Sequence, residues 1–204
     1  MSLIISAEPN LNFTDSSVTT SRTGRLLYEA EFTSPGVHIA LKNKETDAVK
    51  KVGDFITILY SRPQLFRSPE TVVQVRKISG EAIGMSVCSS VKVEIEVLPG
   101  SKDSASSVLQ TLASLAPQAN VHLKPRLTPY LTGYSFTTFP HQEQIGRIIF
   151  NRTRKRMHLV SRCSVADDNV LATLKIPVIT WGPSGNNAHM ANEYVNKSSL
   201  TRLF

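Results

Sequence analysis

Apolar and polar positions alternate along much of this chain, and the alternation predicts strands. At 25–33, Tyr28, Ala30 and Phe32 fall on one side and Glu29 and Glu31 on the other. That is the period of two that a half-buried strand requires. Ser34-Pro35-Gly36 carries turn chemistry, and 37–41 alternates again. The β-prone run at 55–60 reads as a buried central strand, stopped by Arg62-Pro63, with a weaker helical reading at 46–51. A strand at 71–78 ends at Ser79-Gly80. At 91–97, four β-branched residues alternate with Lys92, Glu94 and Glu96, so one face is dry and the other wet.

A helix is predicted at about 103–116. Ser101 and Ser104 are capping candidates, and Val108, Leu109, Leu112, Leu115 and Ala116 share one helical face before Pro117. Strands resume at 121–124, 130–139, 145–150, 158–165 and 170–181, with a short helix in the tail near 188–195. The expected fold class is therefore mainly β: an antiparallel β-sandwich or jelly-roll-like barrel with one helix. The expected organisation is an N-terminal arm at 1–24, a β-sandwich domain at 25–181 and a polar C-terminal tail at 182–204, whose Leu200, Leu203 and Phe204 either anchor on a neighbouring subunit or fold back on the same one.

Composition narrows the functional classes. No apolar run approaches the roughly 18–20 residues that cross a bilayer. The first residues lack the basic start of a secretory signal, so a cytosolic or nuclear location is expected rather than secretion. The two cysteines, Cys88 and Cys163, make no disulfide framework. Five histidines, at 38, 122, 141, 158 and 189, lack the spacing of metal ligands, so no metal and no cofactor is expected. Asp167-Asp168-Asn169 reads as a turn. There is no Gly-X-Ser-X-Gly elbow and no phosphate-cradling glycine loop, so no catalytic residues are assigned and the protein is expected not to be an enzyme.

Charge is the most informative feature. The chain of 204 residues carries a net charge of +7. Residues 1–100 hold 11 basic and 11 acidic side chains, whereas 101–204 hold 12 basic and 5 acidic, so the whole excess (12 − 5 = 7) lies in the second half. Arg147, Arg152, Arg154, Lys155, Arg156 and Arg162 cluster there with no acid between them. With strands predicted on either side, they read as a hairpin whose tip binds a polyanion, RNA first, by neutralising phosphates. Lys124-Pro125-Arg126 would extend the patch.

A β-rich profile with free ends, excess basic charge and no enzyme motif resembles that of small structural or accessory proteins of RNA viruses. The resemblance covers the whole chain as a profile, without a motif. It implies a non-enzymatic coat or matrix-type protein that self-assembles and binds RNA; the alternatives are a plant-virus movement protein, or a matrix protein on an anionic membrane surface. It implies homo-oligomers and no small-molecule substrate. One departure stands out: basic arms of coat proteins carry Arg and Lys runs, whereas residues 1–24 hold only Arg22.

Overall fold

The computed structural model describes residues 2–43, 45–62, 64–125 and 130–203. Arg126 and Phe204, both invoked above, lie outside the described residues, as does Pro63. In chain order the elements are β1 (Ile4–Ser6), β2 (Asn10–Leu11), β3 (Ser17–Arg22), β4 (Leu26–Thr33), α1 (Ala48–Ser61), β5 (Val72–Gly80), β6 (Ser90–Leu98), α2 (Ala105–Leu115), β7 (Ala119–Leu123), β8 (Tyr134–Ser135), α3 (Gln142–Thr153), β9 (His158–Arg162), α4 (Asp167–Ala172), β10 (Val178–Thr180), β11 (Ser184–Asn186), β12 (Tyr194–Val195) and α5 (Lys197–Leu203). They form two compact units. Unit 2 is continuous, Thr23–Thr132, and unit 1 combines Met1–Arg22 with Gly133–Phe204.

Unit 2 is one antiparallel sheet in the order β5-β6-β4-β7, with the sequence β-α-β-β-α-β. This is the split β-α-β, ferredoxin-like arrangement. The alternation read in the sequence builds it. Leu26, Tyr28, Ala30 and Phe32 of β4 are buried, as are Val91, Val93, Ile95 and Val97 of β6. The two strands pair in register, Tyr28 with Ile95 and Phe32 with Val91. On the wet face the charges pair instead, Arg25 with Glu96 at 2.6 Å and Lys92 with Glu29 at 3.3 Å. Two helices supply the rest of the core. Ala48, Val52, Phe55 and Leu59 form the buried stripe of α1, and Val108, Leu112 and Leu115 that of α2. The Phe55 ring meets Phe32 at 5.4 Å between centroids. Asp47 caps α1 by accepting from the Lys50 amide, and Ser104 caps α2 through the Ser107 amide.

Unit 1 has a mixed five-stranded sheet, β1-β10-β3-β8, with β9 paired parallel to β3, and a three-stranded sheet β12-β11-β2. Val18, Phe139, Ile149 and Ile179 form its apolar centre. Residues 10–22, within the segment predicted as an arm, thus supply two strands that pair with elements from the far end of the sequence: Ser17 with His158 and Thr19 with Thr180.

The predicted β-sandwich is corrected to a mixed α/β architecture. Segments 55–60 and 145–150, predicted as strands, are helical, and 170–181 is α4 followed by β10. The cause is a conflict between local preference and longer period. Phe55-Ile56-Thr57-Ile58 is β-prone residue by residue, but across 48–59 its apolar positions repeat every three to four residues and burial decides. Ile145, Ile149 and Thr153 repeat likewise, and α3 ends where the Arg154 amide donates to the Phe150 carbonyl at φ +59°.

Candidate active site

The chemistry of unit 1 gathers around Arg22, the last residue of β3. Its side chain is 2% exposed, and a guanidinium removed from water requires partners. Nε donates to Asp168 Oδ2 at 2.7 Å, one terminal nitrogen to Ser164 Oγ at 2.8 Å and the other to Glu8 Oε2 at 2.8 Å. Asp168 Oδ2 also accepts from the Tyr134 hydroxyl at 3.2 Å and from the Thr180 hydroxyl. Four elements therefore converge: β3 brings Arg22, β8 brings Tyr134, α4 brings Asp168 and β10 brings Thr180.

Glu8 is the open end of this cluster, its side chain 31% exposed where Asp168 is fully buried. The segment carrying it is fixed by backbone contacts. The Asn10 amide donates to the Pro183 carbonyl at 2.7 Å, and Asn10 Nδ2 donates to the Ser17 and Gly182 carbonyls at 2.8 and 3.0 Å. Gly182 is required there, because a Cβ at that position would overlap the Glu8 carbonyl oxygen. Arg162, at the end of β9 and in register with Arg22, lies beside the cluster. It donates to Asn10 Oδ1 and stands 5.1 Å over the Phe13 ring.

The electrostatics separate the two carboxylates. Burial pushes the Glu8 carboxyl above its ordinary value, the Asp168 charge adds to the rise, and Arg22 only partly offsets it. Burial would raise Asp168 as well, but hydrogen bonds from Thr180 and Arg22, with the Arg22 charge, hold it below the usual range. Burial and the charge of Asp168 raise the Tyr134 hydroxyl. The two carboxyl groups are thus pushed apart, one locked and one partly exposed. Among the described residues, no three His, Cys, Asp or Glu side chains are placed to hold a metal ion.

The six basic residues picked from the sequence lie on α3, on the turn after it and on β9. The expected hairpin tip is the end of a helix. Arg147 is exposed on α3, 3.8 Å from Glu143. Arg152 lies in the last turn of α3, and Arg154 caps it. Lys155 turns to Asp15 at 3.6 Å, a buried carboxylate that Arg202 also grips at 2.5 Å. Arg156 lies with Arg147 on a groove along α3, while Arg162 belongs to the Arg22 cluster. Glu8, Arg22 and Asp168 were missed. Asp167-Asp168-Asn169, read as a turn, is the start of α4; acidic residues preceding an apolar pair were the available signal.

The chain matches no protein-family model and no curated protein. Solved structures match its fold. The aminopeptidase PepT of Bacillus cereus superposes with a TM-score of 0.70 at 16% identity, over 98% of this chain and 52% of that one. A tripeptidase of Staphylococcus aureus gives 0.68 at 16% identity, over 92% of this chain and 51% of that one. An amidase of the hydantoinase/carbamoylase family from Burkholderia phymatum gives 0.67 at 14% identity, over 98% and 51%. The chain thus spans about half the length of the structures it matches.

These matches overturn the resemblance to coat, matrix and movement proteins of RNA viruses, since the fold over nearly the whole chain is that of peptidases and amidases. The non-enzymatic, self-assembling role rested on a β-sandwich that is absent, and it falls with that resemblance. So do the RNA and membrane partners and the exclusion of a small-molecule substrate.

Proposed function

We propose that this protein takes part in hydrolysis of a carbon–nitrogen bond next to a carbonyl, in a small peptide or an N-acyl or N-carbamoyl amino acid. The observation that carries the reading is the fold shared over 98% of the chain with both an aminopeptidase and an amidase. A fold hosts many functions, so the site must carry the chemistry. Glu8 supplies it. Its carboxylate accepts a proton from the attacking water and returns it to the departing nitrogen, and a value raised above the ordinary glutamate one favours the return step. Arg22 holds Oε2 and so aims Oε1, while Asp168 fixes Arg22. The chain's own part in the step is this carboxyl group with its positioning residues, Arg22 and Asp168.

The test is release of free amine from a panel of dipeptides, tripeptides and N-carbamoyl amino acids. Wild-type protein is expected to turn over part of the panel, and Glu8→Gln to lower kcat by about 10²–10⁴-fold with KM little changed. Turnover unchanged by Glu8→Gln, or none with any member of the panel, overturns the proposal.

A further inference from the structure

We infer that the exposed face of α3 and the turn after it is a docking groove for a short acidic segment of a partner protein with an apolar side chain at its centre. The groove encloses about 860 Å³ and lies entirely in unit 1. Gly146, Phe150 and Met157 form its floor, and Arg147, Asn151 and Arg156 line it as well. Phe150, a large apolar side chain, is 45% exposed on this helix surface.

Three observations point to an occupant. The first is the glycine. In a helix interior, glycine is less stable than alanine. Nothing in the protein's own packing demands it here: a Cβ at Gly146 would meet only the Met157 methyl, at 3.6 Å, an ordinary contact. What the missing side chain does is leave the floor open, opposite the exposed Phe150 one turn on. The second is charge. Of the charged residues that line the groove, Glu143 is the one carboxylate against Arg147 and Arg156, and Arg152, Arg154 and Lys155 lie in the same stretch of chain. The contact of Glu143 with Arg147 is long and fully solvated, and Arg152, Arg154 and Arg156 make no ion pair among the described residues. Lys155 alone is turned away, to Asp15. The third is composition: an aromatic ring flanked by guanidinium groups is the composition of an interface hot spot. Carboxylates pair with Arg147 and Arg156 while an apolar side chain settles on Gly146, between Phe150 and Met157.

Fluorescence anisotropy tests this with a labelled octapeptide of Asp and Glu carrying Leu-Phe at its centre, and with the same peptide carrying Ala-Ala. The Leu-Phe peptide is expected to bind saturably at low ionic strength, about tenfold tighter than the Ala-Ala peptide. Gly146→Leu, which fills the floor, should weaken it about tenfold. The double change Arg147→Ala with Arg156→Ala should do the same and flatten the dependence on salt. Lys77→Ala, an exposed cation of unit 2, should change nothing. Circular dichroism verifies that each variant keeps its helices, and the arginine pair tests the groove even if Gly146→Leu does not fold. Absence of saturable binding overturns the inference. So does equal affinity for the two peptides, or affinity indifferent to both sets of variants, since either means general attraction between charges.

Discussion

Arg22 Nε donates to Asp168 Oδ2 at 2.7 Å, and neither side chain is more than 2% exposed. The two residues lie 146 positions apart, so the pair ties the end of β3 to the start of α4. Removing Arg22 strands Asp168 as a buried charge, whereas removing Asp168 leaves Arg22 its bond to Glu8. Arg22→Met is therefore expected to destabilise unit 1 by about 3–5 kcal/mol, whereas Arg22→Met with Asp168→Leu together should cost clearly less than the sum of the two single changes. Urea denaturation followed by Trp181 fluorescence measures both.

The raised carboxyl of Glu8 makes a kinetic prediction. The base form is needed for turnover, so activity should fall on the acid side at a midpoint above 4.5, the ordinary glutamate value. A kcat/KM profile between pH 4 and 9 locates that limb. A midpoint at or below 4.5 would remove Glu8 from the role.

Stability should also fall on the acid side, for a different reason. Asp47, Glu94 and Asp168 all have folded values below their unfolded ones. The Lys42 hydrogen bond lowers Asp47, the Lys124 hydrogen bond lowers Glu94, and Thr180 and Arg22 outweigh burial at Asp168. A lowered carboxylate stabilises the fold above its unfolded value, and that contribution is lost as pH falls through the folded value. Glu8, being raised, works the other way: its contribution is present below 4.5 and lost as pH rises through its folded value. With three carboxylates against one, the urea midpoint should drop between pH 5 and pH 2. Asp47→Asn with Glu94→Gln should make that drop shallower.

Gly182→Ala places a methyl group against the Glu8 backbone, where it overlaps the carbonyl oxygen and comes within 2.7 Å of the carbonyl carbon. The backbone must give way, at a cost of about 1–3 kcal/mol. Because the displaced segment carries Glu8, turnover should fall together with the melting temperature. A variant that melts lower but keeps full turnover would separate the glycine from the site.

Phe55→Ala empties the space beside Phe32, where Phe55 is 2% exposed. A loss of about 3–5 kcal/mol is expected in the transition that reports unit 2. Hydrogen exchange of the β4 and β6 amides resolves that transition from the one in unit 1.

What the sequence reveals follows from the range of each interaction. β4 and β6 are legible because alternation of buried and charged residues is a local signal, and α2 because Ser104 caps it and its apolar face is continuous. α1 is hidden because Phe55 to Tyr60 prefer extended structure one by one, and only the stripe from Ala48 to Leu59 shows the helix. α3 is hidden by Gly146 and the isoleucines around it. The site is the least legible part. Glu8 and Arg22 are 14 residues apart, Arg22 and Asp168 far more, and the parallel pairing of β3 with β9 that aligns Arg22 with Arg162 leaves no mark in either strand. Counting charges found Arg162 but grouped it with exposed neighbours, because linear density cannot tell a solvated cation from one packed over Phe13.

The chain leaves unit 1 after Arg22 and re-enters it at Gly133, between two strands that are neighbours in one sheet, Arg22 lying opposite Tyr134. Every residue of the larger apolar core lies inside that excursion. On the ribosome, unit 2 therefore has all it needs to fold while β3 still waits for β8, β9 and β10 to be made. The two side chains that flank the excursion, Arg22 and Tyr134, both contact Asp168. The charged cluster consequently cannot form until α4 and β10 have been made, and it joins residues from both sides of the excursion.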